Sequence, residues 1–128
     1  MKKINICEKE YTIDCNAFTY IQFKKMFGTG IFKDIQIIKD FLVNQTQKIT
    51  LLKLQNLTEI EIEEKLSSLM LDDIDGYIEA ITRMAYIFIY TANERTEDYE
   101  TFMKGISKLS IDDDWVVEVT EFAVDNFC

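Results

Sequence analysis

The stretch Ile74-Asp75-Gly76-Tyr77-Ile78-Glu79-Ala80-Ile81-Thr82-Arg83-Met84-Ala85-Tyr86-Ile87-Phe88-Ile89-Tyr90-Thr91-Ala92 decides the fold. Ile74, Tyr77, Ile78, Ile81, Met84, Ala85, Phe88 and Ile89 recur at helical spacing and wrap most of a cylinder, whereas a surface helix carries one apolar stripe. A central helix is therefore predicted over Ile74 to Ala92. Its most apolar part, Met84 to Tyr90, covers two turns, far short of the ~20 residues a membrane helix needs. Asp72, Asp73 and Asp75 crowd the predicted start, where acids favour the positive end of the helix dipole. Asp72-Asp73-Ile74-Asp75-Gly76 is no calcium loop. With Gly76 at the sharp-turn position, Leu71 falls on the first ligand position and Thr82 where the bidentate glutamate belongs.

Upstream, residues 3–14 alternate as a β-hairpin. A turn at Glu8-Lys9 pairs Ile6 with Tyr11, Ile4 with Ile13 and Lys2 with Cys15, which puts Ile4, Ile6, Tyr11 and Ile13 on one face. A lone hairpin is marginal in water, so that face must lie on helices. Asn16 caps a first helix, Ala17 to Phe27, stopped by Gly28, with Phe18, Ile21 and Met26 inward and Lys24 and Lys25 wet. A second helix runs from about Thr29 or Gly30 to Val43 on the stripe Ile31, Ile35, Ile38, Leu42. Residues 44–57 have no clear period, and Thr50 to Leu54 fits a strand or a helix. Thr58 with Glu61 forms a capping box that opens a third helix, with Ile60, Ile62, Leu66 and Leu69 inward and Glu59, Glu61, Glu63 and Glu64 outside.

Downstream, Glu94 to Asp98 is a polar break. Thr96 caps a short helix carrying Tyr99, Phe102, Met103 and Ile106. Ser110 with Asp113 opens a last helix from about Ile111. There Trp115, Val119 and Phe122 recur at helical spacing, broadened by Val116, Ala123 and Phe127. Trp115, the only tryptophan, reads as a core anchor or as an interface hot spot. Trp115, Val119, Phe122 and Phe127, with Glu118 and Glu121 beside them, are the partner-binding candidates. The fold class is α+β, mostly α: an N-terminal hairpin (3–14) packed on a bundle of five to six helices (16–128), in one domain.

The 128 residues are 48% hydrophobic and 12% aromatic, enough for a core without disulfides or metal. Basic residues near the N-terminus are followed by no long apolar stretch, so a cytoplasmic chain without a signal peptide is expected. There is no histidine, the commonest general base and metal ligand, and none of the four glycines sits in a phosphate-binding pattern. Carboxylate pairs such as Glu118 with Glu121 or Glu61 with Glu64 are common among 23 acids and mark no catalytic site. No enzyme, cofactor or metal is expected. Cys7, Cys15 and Cys128, an odd number, read as reduced thiols. Residues 1–56 carry nine Lys against five acids, and residues 57–128 five Lys/Arg against eighteen. This split suggests self-association head to tail or a polar partner surface, and it also fits two solvated faces. The net charge of −9 disfavours nucleic acid.

Five features follow one another along nearly the whole chain. They are the hairpin, the stretch Ala17-Phe18-Thr19-Tyr20-Ile21-Gln22-Phe23-Lys24-Lys25-Met26-Phe27-Gly28, a central helix ending Tyr86-Ile87-Phe88-Ile89-Tyr90-Thr91-Ala92-Asn93, the acidic-aromatic segment Glu97-Asp98-Tyr99-Glu100-Thr101-Phe102, and a last helix opening Asp114-Trp115. In that order they resemble the tail assembly chaperones of long-tailed phages and prophages of Gram-positive bacteria. Such chaperones often carry a tryptophan in the acidic-aromatic segment, where this chain has Phe102 and Met103. The resemblance implies a non-enzymatic factor that binds the tape-measure protein, keeps it soluble and helps recruit tail-tube protein as the tube polymerises. It implies a protein of the host cytoplasm, absent from the mature virion. Many members come in short and long forms through frameshifting, and a chain ending just past its last helix suits the short form. Two other classes stay open: a structural head–tail connector or completion protein, and a small acidic inhibitor or immunity protein.

Overall fold

The computed structural model describes residues 1–54, 58–107, 109 and 113–127, the side chains of 45–53 and 62–73 lying outside that description. Strands β1 (Lys2–Ile6) and β2 (Lys9–Ile13) precede helices α1 (Ala17–Phe27), α2 (Ile31–Leu54), α3 (Glu59–Ala92), α4 (Tyr99–Lys104) and α5 (Asp114–Phe127). The fold is α+β and mostly α, with the hairpin laid on the helices.

The hairpin register is Lys2↔Ile13, Ile4↔Tyr11 and Ile6↔Lys9, two residues from the predicted pairing. A slip of two preserves the faces, because side chains alternate with a period of two. Ile4, Ile6 and Ile13 are accordingly buried and Tyr11 half-buried. The turn is the two-residue Cys7-Glu8, with φ of 49° and 71°. Two left-handed residues match the twist of the strands, and that match outweighs their backbone strain despite the absence of Asn or Gly. Cys7 thus sits in the turn and Cys15 beyond the end of β2, so the two do not face each other. Cys128 lies outside the described residues.

Helix α1 has the predicted bounds. The Asn16 side chain accepts from Phe18 N, and Gly28 adopts the left-handed conformation at φ 75°. Its inward line is Thr19 and Phe23, with Phe18 half-buried and Ile21 and Met26 exposed, a correction to the predicted face. The physical reason is that Thr19 can be buried satisfied. Its hydroxyl lies 2.7 Å from Thr91 Oγ1 and accepts from Asn16 N.

Helix α2 continues past Val43 to Leu54, which assigns 44–54 to helix. Ile31, Ile35 and Ile38 are buried as predicted, Leu42 is half-buried, and Phe41 joins the core. Asp34 opposite Arg83 and Phe41 stacked on Tyr77 at 4.1 Å make α2 and α3 antiparallel neighbours.

The third and fourth predicted helices are one. Thr58 caps α3 as predicted, its side chain accepting from Glu61 N, and the helix then runs 34 residues without a break. Asp72, Asp73 and Gly76 are interior to it, not its start. The preceding Glu63-Glu64-Lys65-Leu66 and Leu69-Met70-Leu71 are strong helix formers, and propagating a helix is easier than nucleating another. Ile60 is exposed rather than inward, while Ile62, Leu66 and Leu69 fall among the side chains outside the description. From Tyr77 onward the helix is central: α1, α2, α4, α5 and β2 all contact α3.

Helix α4 is capped by Asp98, whose carboxylate accepts from Thr101 N at 2.8 Å, and not by Thr96. Thr96 instead lies in the preceding turn, its N–H bonded to Asn93 O. Helix α5 starts at Asp114, with the Asp113 carbonyl accepting from Val117 N, while Ser110 and Ile111 lie outside the described residues.

Phe88 is fully buried and its ring packs on Phe122 at 4.8 Å. Phe88→Ala is expected to cost about 3–5 kcal/mol in urea unfolding. Among the described residues, a methyl group added at Gly76 would meet Ile37 Cγ2 at 4.0 Å, an ordinary van der Waals contact. Gly76→Ala should therefore raise stability by about 0.5–1 kcal/mol, as expected for a residue inside a continuous helix.

Candidate partner-binding surface

The apolar α5 candidates turn inward. Trp115 (4% exposed) and Val119 are core residues with almost no surface for a partner, which agrees with the core-anchor reading of Trp115. Phe122 is half-buried against Phe88. Phe127 is half-buried among Tyr20, Phe32 and Phe88, at ring distances of 5.1, 6.0 and 6.2 Å. Glu118 is half-buried and Glu121 exposed. An apolar helical stripe marks whatever covers it, and here the cover is the chain's own core. The exposed apolar residues of α5 are Val117 and Val124, which lie off the predicted stripe.

An open groove of about 200 Å³ lies instead between α3 and α4, lined by Ile78, Glu79, Thr82, Tyr99, Met103, Ile106 and Leu109. Phe102 anchors α4 in the core, its ring 5.5 Å from Tyr86 and 5.8 Å from Tyr11. That anchor sets Tyr99 and Met103, neighbours on the helix surface, along the groove. Met103 and Leu109 are each 41% exposed. The Thr82 hydroxyl donates to Ile78 O at 2.7 Å, so the floor has little unsatisfied polarity. Packing of Tyr99 on Phe27 and Tyr86 orients its ring, and burial pushes its hydroxyl pKa up.

Arg83 forms a bidentate pair with Asp34, Nε to Oδ2 at 2.6 Å and Nη2 to Oδ1 at 3.0 Å. The pair joins α2 to α3 and neutralises the cation one residue beyond Thr82. Carboxylates remain at the groove edge: Glu79 lines it, and Asp75, exposed, stands one turn earlier on α3.

The segment leading into α4 is strapped to the hairpin. Lys9 Nζ donates to Glu97 Oε2 at 2.8 Å, Tyr11 OH donates to Glu97 Oε1 at 2.7 Å, and Tyr86 OH donates to Glu97 O at 2.7 Å. The Lys9 ammonium and then the Tyr11 hydroxyl hold the Glu97 carboxyl below its usual range.

A second open concavity, of about 460 Å³, is lined by Tyr20, Ile21, Lys24 and Lys25 of α1. Ile21 is 58% exposed, and Phe32, whose ring lies 5.6 Å from Tyr20, is 60% exposed. One surface is thus apolar with a basic edge and the other apolar with an acidic edge.

Among the described residues, no group of three or more His, Cys, Asp or Glu is placed to hold a metal ion. Nor is any helix among them long and apolar enough to cross a membrane. Cys15 is a half-buried free thiol whose pKa burial pushes up, away from thiolate reactivity. No family model matches the chain, and no curated protein or solved structure matches it either.

Sequence reasoning flagged Tyr99, Met103 and Ile106 as helix residues but missed the groove they form with Ile78, Glu79, Thr82 and Leu109. The signal was the width of the apolar face on α3, where Ile78 adds to a stripe that Tyr77, Ile81 and Met84 already fill.

Arg83→Leu would strand the 2%-exposed Asp34 carboxylate, with an expected loss of about 3–5 kcal/mol in urea unfolding. Asp34→Leu/Arg83→Leu should recover most of it. Glu97 has a lowered folded pKa, so its contribution is present above the unfolded value and disappears as pH falls through the folded one. Glu97→Gln should therefore flatten the acid limb of the stability–pH profile.

Proposed function

We propose that this chain is a non-enzymatic tail assembly chaperone that binds a tape-measure protein and helps recruit tail-tube subunits. The observation that carries the reading is the apolar, acid-edged groove between α3 and α4. It takes Tyr99 from the acidic-aromatic segment Glu97 to Phe102, one of the segments on which the family resemblance rests.

A holdase needs an adaptable apolar surface rather than a catalytic constellation. Grooves of this kind receive the apolar face of an amphipathic helix through anchors one turn apart. Met103 supplies an unbranched, polarisable side chain that tolerates varied partners, which suits a long client read at many sites. In this reading the protein acts in the host cytoplasm and leaves before the virion is complete.

Co-expression with the tape-measure protein, followed by pull-down and light scattering, tests the proposal. The expected result is a soluble complex with several copies per client, where the client alone precipitates. Met103→Glu and Leu109→Glu, both at exposed positions, should reduce client recovery about tenfold or more while leaving the melting temperature nearly unchanged. A client that stays insoluble while this chain elutes alone would sink the proposal. Recovery from purified virions would favour a connector or completion protein instead, and a single compact partner at fixed stoichiometry an inhibitor or immunity protein.

A further inference from the structure

We infer that α4 is a lid on the groove between α3 and α4, held shut by a clasp in which Lys9, Tyr11 and Tyr86 grip Glu97. Opening the clasp lets the groove take the face of an amphipathic helix. The inference rests on the reading of this groove as the client site.

As it stands the groove is too small for a helix face. An α-helix with its side chains is about 10–12 Å across, and sites that enclose even a drug-sized ligand hold about 300–1,000 Å³. The groove holds about 200 Å³, room for a side chain but not for a row of anchors on successive turns. One of its walls must therefore move. The α3 wall is fixed, because Ile81, Thr82 and Met84 are buried and Arg83 is tied to Asp34. The α4 wall is a six-residue helix between the turn at Asn93 to Thr96 and Gly105.

Two kinds of contact hold α4, and water replaces them at very different cost. Phe102 is the buried residue of the helix, its ring packed on Tyr86 and Tyr11. Withdrawing it would expose a whole aromatic side chain. The clasp lies at the surface. The Glu97 carboxylate accepts from Lys9 and Tyr11 and its carbonyl from Tyr86, while the Lys9 and Glu97 side chains are 58% and 23% exposed. Water takes over such bonds at little net cost. The easier motion is a swing of Tyr99 and Met103 away from Ile78 and Thr82, with the Phe102 ring as pivot. Tyr11 serves both points, since its hydroxyl holds Glu97 and its ring packs on Phe102, so the hairpin controls the lid. Apparent affinity for a helix is then reduced by the fraction of molecules that are shut. The clasp is an autoinhibitory contact that keeps the apolar lining covered until a helix with enough anchors competes for it.

Hydrogen exchange and a model peptide test the lid with no client present. The peptide is a neutral, fluorescein-labelled amphipathic helix with leucines at i, i+3, i+4 and i+7, and anisotropy reads its binding. Glu97→Ala removes both side-chain bonds of the clasp and changes no residue that lines the groove. Amides of α4 should exchange about tenfold faster in this variant while Met84 to Ile89 keep their protection. The peptide should bind it about fivefold or more tightly than the natural chain. A variant that merely loosened the fold would bind more weakly, so the direction of the change separates the two. Lys9→Glu should act like Glu97→Ala, and Lys9→Glu/Glu97→Lys, which remakes the ion pair in reverse, should bring exchange and affinity back toward the natural values. Met103→Glu added to Glu97→Ala should abolish the gain, which locates the peptide in the groove. Unchanged α4 exchange in Glu97→Ala would overturn the inference. So would peptide affinity that is no higher than in the natural chain, that is absent from both, or that survives Met103→Glu. Tighter peptide binding in a protein that never solubilises the tape-measure protein would support the lid and remove the chaperone reading.

Discussion

Met84, Ala85, Tyr86, Ile87, Phe88 and Ile89 are consecutive and all buried, and the rest of the molecule depends on that burial. A helix presents successive residues around its whole circumference, so six buried in a row require cover on every side. One neighbour cannot supply it. The hairpin, α1, α2, α4 and α5 each close part of the surface of α3, and the hairpin is tied to it by a backbone bond from Asp14 N to Phe88 O. The isolated hairpin, too small to be stable in water, gains its order from the same contact.

Polar groups drawn inward by this arrangement are mostly paired. Tyr77 OH lies 2.8 Å from Thr120 Oγ1 between α3 and α5, Thr19 meets Thr91 between α1 and α3, and Arg83 meets Asp34 between α2 and α3. Each pair joins α3 to a different neighbour. Because a buried polar group without a partner is costly, these pairs penalise alternative packings more than they stabilise the native one. Trp115 Nε1 departs from the pattern, being buried without a hydrogen-bond partner. Left outside the core, among the described residues, are apolar surfaces with edges of opposite charge. They lie on α1 and between α3 and α4, away from the inward side of α5.

Much of the fold was legible because its signals are local. Asn16 and Gly28 bound α1, and Thr58 with Glu61 opens α3, through hydrogen bonds that span at most four residues. The central helix was legible from its apolar width alone. Errors arose where local signals were ambiguous. Acids at Asp72 to Asp75 look like a helix start whether or not the chain leaves the helix before them. The burial of Thr19 depends on Thr91, 72 residues away, and no α1 periodicity encodes it. The candidate site was less legible than the fold, because the stripe through Trp115, Val119 and Phe122 is the same whether it faces a core or a partner.

By itself the sequence determined the hairpin and its inward face, the caps of α1 and α3, the central helix and the uneven charge. All of these follow from residue type and short-range spacing. Tertiary structure decided the hairpin register, the continuity of α3, the rotation of α1 and the burial of α5. It also decided that Ile78, Glu79, Tyr99, Met103 and Leu109 share one groove. The reason is physical: which face of an element is covered depends on what packs against it, and those partners lie far away along the chain.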